Sequence, residues 1–261
     1  MQDYAFVPEV GQSVDEFWQK CNQFARGNRM DPILAYMYYM QEAAKGKKLI
    51  TRQVFFDLGK SVQFFPGVLT WFDRANTYAA EKGLSCEHYI ISSGLKEIIE
   101  GTAIAHYFKG IFAAEFYYDA YNVPVWPAMA VNYTSKTQFL FRVNKGLLDV
   151  TEHESLNEYM PDEERRVPFK NMLYIGDGPT DIPCMKLCRV NGGHSMAVYQ
   201  HDRSDAEGML RDGRIDFAVP ADYSEGSPLE KAVFAVMDKV AAQEKIRTLH
   251  KEHKRKVLPS F

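Results

Sequence analysis

The chain has 261 residues, more than one minimal domain and less than two average ones, which suggests one core carrying an insertion or cap. Apolar residues make up 46% and charged residues 25%, which excludes disordered, collagen-like and rod-like classes and leaves enough apolar surface for a core. Thirty-one Lys and Arg against 34 Asp and Glu give a net charge of −3, too near neutral to announce a nucleic-acid partner, and no apolar run is long enough for a membrane span.

Helices are expected over the first sixty residues. Ser13-Val-Asp-Glu16 has the form of a capping box, in which the serine oxygen and the glutamate satisfy free amides at a helix start. Asp31-Pro32 offers a cap followed by proline at the first helical position, leading into Ile33, Leu34, Tyr36, Met37 and Met40 at helical spacing. A third helix is expected from about Thr51, with Phe55, Phe56 and Leu58 buried and the aromatic stripe packed between helices. From Phe65-Pro66-Gly67 the pattern changes to a helix over about 68–82 ended by Gly83, followed by the short apolar run Tyr89-Ile90-Ile91, which predicts a buried strand. That strand should end at Ser92, turn through Ser93 and Gly94, and pass into a helix from Leu95.

Two apolar stretches around 119–122 predict a β-hairpin beside the sheet. Met172-Leu173-Tyr174-Ile175 predicts a second strand, closed by Gly176-Asp177-Gly178-Pro179-Thr180-Asp181 and followed by a helix. Stretches 195–199 and 216–219 predict two more. Strands alternating with helices point to an α/β fold with a doubly wound, Rossmann-like parallel sheet. From Pro228 a long helix is expected, with six Lys and Arg against one Glu over 245–256, read as a solvated, fraying end. Cys21, Cys86, Cys184 and Cys188 show no CxxC spacing, so reduced thiols are expected, with Cys184 and Cys188 on one buried helix face. The protein is expected to be cytoplasmic.

In an open parallel sheet, ligands gather at the carboxyl ends of strands. Ser92 stands at one such end, where its hydroxyl and the amides of Ser93 and Gly94 suit an anionic oxygen. Asp177 and Asp181 stand at another, four apart in a glycine-rich turn, and are hard oxygen ligands suited to Mg²⁺ with retained waters. Lys136 lies between the two motifs in the chain.

A strand-terminal serine, then a lone lysine, then Gly-Asp-Gly-x-Thr-Asp resembles the haloacid dehalogenase (HAD) superfamily of phosphatases, specifically its phosphoserine-phosphatase-like branch, over roughly 65–225. The resemblance implies a core over 65–261 and a helical cap over 1–64. It implies that Ser92 and Lys136 hold phosphoryl oxygens, that Asp177 and Asp181 hold Mg²⁺, and that a small phosphorylated metabolite is the substrate, with no nucleic acid and no membrane as partner. Charge neutralisation around a transferring phosphoryl group suits those roles. The superfamily's first motif, an apolar strand ending in Asp-x-Asp, does not occur in the sequence. The nearest candidate nucleophile is Asp57, which ends Val54-Phe55-Phe56, with Gly59 in the place of the second acid. Two expectations remain open: that the motif lies just upstream of Met1, or that the chain is a homologue that binds phosphate and Mg²⁺ without turnover.

Overall fold

In the computed structural model, residues 6–257 are described. By contacts the chain divides into two compact units, 6–64 with 87–139 and 65–86 with 140–257.

The first unit opens with three helices. α1 (Val14–Asn28) and α2 (Pro32–Ala44) start on the caps expected from sequence, and α3 (Arg52–Gly59) starts where it was expected, with Thr51 as its cap. Ser13 Oγ accepts from the Glu16 amide at 3.2 Å, Asp31 Oδ1 from the Ile33 amide at 2.8 Å, and Thr51 Oγ1 from the Val54 amide at 3.3 Å. Such caps satisfy amides that a helix start leaves without partners. The helices bury Phe17, Met37, Met40 and Phe55 in one core with Phe6 and, from the sheet side, Leu95 and Phe116. Phe56, 37% exposed, departs from the expectation by facing away from this core, while Tyr38, 43% exposed, still packs between helices at their outer edge. Tyr38 stacks on Phe24 and Phe56 lies under the Lys60 ammonium.

After α4 (Val68–Glu81), which belongs to the second unit and is followed by Gly83 at φ 72°, β1 (His88–Leu95) begins the sheet of the first unit. It runs through Leu95, one residue short of the five-residue α5 (Lys96–Glu100). β2 (Phe108–Tyr118) pairs parallel with β1 along its first part and antiparallel with β3 (Pro124–Met129) along its second. The expected hairpin is therefore a continuation of the sheet, because β2 is long enough to serve both partners. Among the described residues β1 has a strand partner on one side only, and its residues 88–94 are half-buried where burial was expected.

α6 (Ser135–Lys145) carries the chain into the second unit, where a short α7 (Glu154–Asn157) precedes β4 (Leu173–Gly176). α8 (Ile182–Val190), β5 (His194–Tyr199), α9 (Ser204–Arg211) and β6 (Phe217–Pro220) follow in alternation, and β4, β5 and β6 form a parallel sheet in that order. Cys184 and Cys188 are fully buried on α8, and burial pushes the Cys188 thiol up to about 12. α10 (Pro228–Val257) closes the unit, stacking Phe234 on Tyr78 at 3.9 Å between ring centroids. It stays helical to Val257, where a frayed end was expected. The expected single sheet is thus two three-stranded sheets, with β1 and β4 each at an edge, since no strand among the described residues pairs with either free side.

Candidate functional site

In the first unit the register advances from Ser92, opposite Ala113, directly to Leu95, opposite Ala114, so Ser93 and Gly94 bulge out unopposed. A bulge re-aims side chains at a strand end. Inside it, the Gly94 amide donates to Ser92 Oγ at 3.0 Å. That amide is taken up locally, while accepting at Oγ leaves the Ser92 hydroxyl proton available to an incoming oxygen. The Tyr36 hydroxyl, from α2, donates to the Ser93 carbonyl at 2.6 Å and fixes the bulge from the helical side. The helix that follows has only five residues, so it adds little dipole to this turn.

Lys136 sits in the first turn of α6 and is 4% exposed, although a lone lysine is ordinarily a surface residue. Its turn is closed by its own amide donating to the Asn132 carbonyl at 3.0 Å and by Ser135 Oγ accepting from the Asn132 amide at 2.8 Å. Asn132 in turn donates to the carboxylate of Asp31, tying this turn to the start of α2. A buried ammonium is costly unless other groups meet it, which makes its placement a built feature.

In the second unit the Gly-Asp-Gly turn follows β4 directly. Asp181 is 5% exposed, and both its oxygens are engaged: Tyr174 donates its hydroxyl to Oδ1 at 2.7 Å and Asp177 its amide to Oδ2 at 3.3 Å. Asp181 therefore braces the turn and does not close a side-chain cap on α8. Burial first, and then the Asp181 carboxylate, raise the Tyr174 phenol above its ordinary range, so it remains a donor. A Cβ on Gly176 would stand 2.6 Å from Asp181 Cβ, so glycine is needed for this approach. The Asp177 side chain, by contrast, is exposed at the carboxyl end of a parallel strand.

Tyr223 flanks the turn. Burial pushes its phenol up to about 12, and the Asp177 carboxylate adds to the shift. Its loop is held by Arg74, which donates to the Tyr223 carbonyl and, through Nε, to Glu230 Oε1 at 2.8 Å. Sequence reading missed Tyr174 and Tyr36, because a tyrosine in an apolar run gives no sign that its hydroxyl will brace a turn.

As a donor set, Asp177 fits Mg²⁺ as one outward carboxylate with most of the ion's waters retained. Asp181 braces this residue by accepting from the Asp177 amide. No group of three His, Cys, Asp or Glu that could hold a metal ion converges among the described residues. Asp57 lies exposed on α3, where Lys60 and Gln53 bond its carboxylate and the Lys60 ammonium holds it below the usual aspartate range.

No family model matches the chain. A relative at 28% identity over 227 residues, an uncharacterized protein of Borreliella burgdorferi, covers 77% of this chain and 75% of its own length. Among solved structures, a HAD family hydrolase from Salmonella enterica serovar Typhi superposes with a TM-score of 0.53 at 17% identity, covering 85% of this chain. The fold is HAD-like. The chain spans 62% of the length of that HAD hydrolase. A cytosolic 5′-nucleotidase IIIB bound to cytidine aligns over 93% of this chain and 79% of its own, at 14% identity and a TM-score of 0.43. Among the described residues no helix is long and apolar enough to cross a membrane.

Proposed function

We propose that this HAD-like chain carries the phosphate- and Mg²⁺-binding side of a phosphomonoester hydrolase for a small phosphorylated metabolite, in the manner of the phosphoserine-phosphatase-like branch. The observation that carries the reading is the turn after β4, where a buried Asp181 fastened by Tyr174 holds the Asp177 carboxylate outward at a strand end. In this reading Asp177 ligates Mg²⁺ and Asp181 positions it. The Ser92 hydroxyl donates to one phosphoryl oxygen, and the Lys136 ammonium neutralises another. Mg²⁺ held by Asp177 would supply positive charge of the kind that stabilises phosphoryl transfer. The helices of 1–64 serve as the cap that limits substrate size and excludes water.

The reading also needs a nucleophile, and the sequence contains no Asp-x-Asp. Asp57 does not fill the part, since it stands mid-helix, solvated and paired with Lys60. The free side of β1 can accept a strand that brings such a motif beside Ser92. Without that strand, the 261 residues bind phosphate and Mg²⁺ but do not turn over.

The test is phosphate release from a panel of phosphorylated metabolites with Mg²⁺, alongside calorimetric binding of Mg²⁺ and inorganic phosphate. Binding without release is expected, with Asp177→Asn abolishing the Mg²⁺ signal and Ser92→Ala weakening phosphate. Sustained Mg²⁺-dependent release by this chain would place a nucleophile within it. Absence of both binding signals would sink the assignment.

A further inference from the structure

The C-terminal half of α10 is the largest feature that the proposed reaction leaves unused. Its first half is anchored in the second unit by Leu229, Val233, Val236 and Val240, all buried. From Thr248 to Val257 every residue is exposed. At 3.6 residues per turn, Ile246, Leu249, His250, His253 and Val257 fall on one face, about 100° wide. Of its apolar members, Ile246 is 67%, Leu249 48% and Val257 76% exposed. This face is turned by about 110° from the stripe that anchors the helix, so it does not continue the core-facing side. The other positions of 245–256 are mostly basic, six Lys and Arg against one Glu and one Thr, a local charge of +5 in a chain whose total is −3.

We propose that this segment of α10 docks in the plane of an anionic lipid surface, its apolar face entering the headgroup boundary and its lysines and arginines pairing with lipid phosphates and carboxylates. The combination selects the occupant. An apolar face flanked by cations is what an interfacial helix requires, and charge complementarity supplies the attraction. A second copy of the chain would bring another +5 against the same face, which opposes self-pairing at low salt. A nucleic acid would use the cations and leave Ile246, Leu249 and Val257 in water. The sequence by itself suggested a solvated end without a partner; the unbroken helix and the separate apolar face are what the structure adds.

The experiment is co-sedimentation of the full chain with vesicles of phosphatidylcholine alone or mixed with phosphatidylserine, at low and high salt. Binding is expected with the mixed vesicles only, weakened at least ~10-fold by high salt. Two exposed double variants separate the contributions, and circular dichroism confirms that each keeps its helix. Lys251→Glu with Arg255→Glu should lower affinity at least ~10-fold by charge, and Ile246→Ser with Val257→Ser by a similar factor through lost apolar insertion. Equal binding to both vesicle types, no binding to either, or an Ile246/Val257 variant that binds like the parent would each overturn the proposal. So would tighter binding to a single-stranded RNA than to mixed vesicles at the same salt, or concentration-dependent dimers that the Lys251/Arg255 variant abolishes.

Discussion

Asp177 and Asp181 differ in burial and in partners, and their substitutions should therefore separate. Asp177 is exposed, so Asp177→Asn should leave the thermal midpoint unchanged without metal and remove the Mg²⁺-dependent rise. Mass action sets the stabilisation behind that rise at about 2.7 kcal/mol when Mg²⁺ stands at a hundred times its dissociation constant. Asp181→Asn disturbs a buried carboxylate held by Tyr174 and the Asp177 amide, and should cost about 1–3 kcal/mol with or without metal. Equal metal responses in the two variants and the parent would refute the division of roles. Glu97 offers a second test at this scale. It is 1% exposed, Tyr118 donates to its Oε1 at 2.6 Å, and its Oε2 has no hydrogen-bond partner. Burial raises its pKa above the usual glutamate value of 4.5. The folded state thus holds its proton more tightly than the unfolded state. The stability from Glu97 is fully present below the unfolded value and declines as pH rises through the folded one. Denaturant titrations from acid to neutral pH should show this decline in the parent and its absence in Glu97→Gln, which resembles the protonated acid.

The elements were legible where the chemistry is local and obscure where it is not. Ser13 and Asp31 announce helix starts because a cap acts within three residues, and both accept the amides expected of them, while Thr51 marks the third start and proves to cap it. The dual role of β2 was hidden, because its first strand partner lies twenty residues upstream and its second just downstream, and one apolar run gives no sign of either. Gly59 was read as a missing acid, and packing explains it instead. A Cβ on Gly59 would stand 2.2 Å from the Ile98 carbonyl oxygen, and one on Gly101 1.8 Å from that of Phe56, so α3 and α5 cross backbone against backbone. Close approach of this kind excludes any side chain at either glycine. Gly101→Ala should therefore force the two helices apart and cost about 1–3 kcal/mol in equilibrium unfolding. Ala at Gly27 of α1, which has nothing within 4 Å of its would-be Cβ, should be neutral or stabilising in the same assay.

At the scale of the whole molecule, the α/β alternation was readable from sequence, but the division into two sheets was not, since propensity speaks of strands and not of their neighbours. Among the described residues β1 pairs with β2 alone and β4 with β5 alone, so each is an edge strand there. Tyr89, Ile90 and Ile91 are half-buried, so the side of β1 away from β2 is not sealed in a dry core, where unbonded amides would be costly. This arrangement has a measurable signature. Successive amides of a strand point to opposite sides, so about half of those in β1 donate to β2 and the others face the free side. In native-state hydrogen exchange, protection along β1 should alternate, with the amides that point away from β2 exchanging faster than those that donate to it, whereas β5, paired on both sides, should be protected throughout. Supplying in trans a peptide strand bearing an apolar run and Asp-x-Asp should slow the fast amides of β1 selectively. Uniform protection of β1 in the chain by itself would show that its second side is already occupied, and with that the place proposed for the nucleophile strand would be lost.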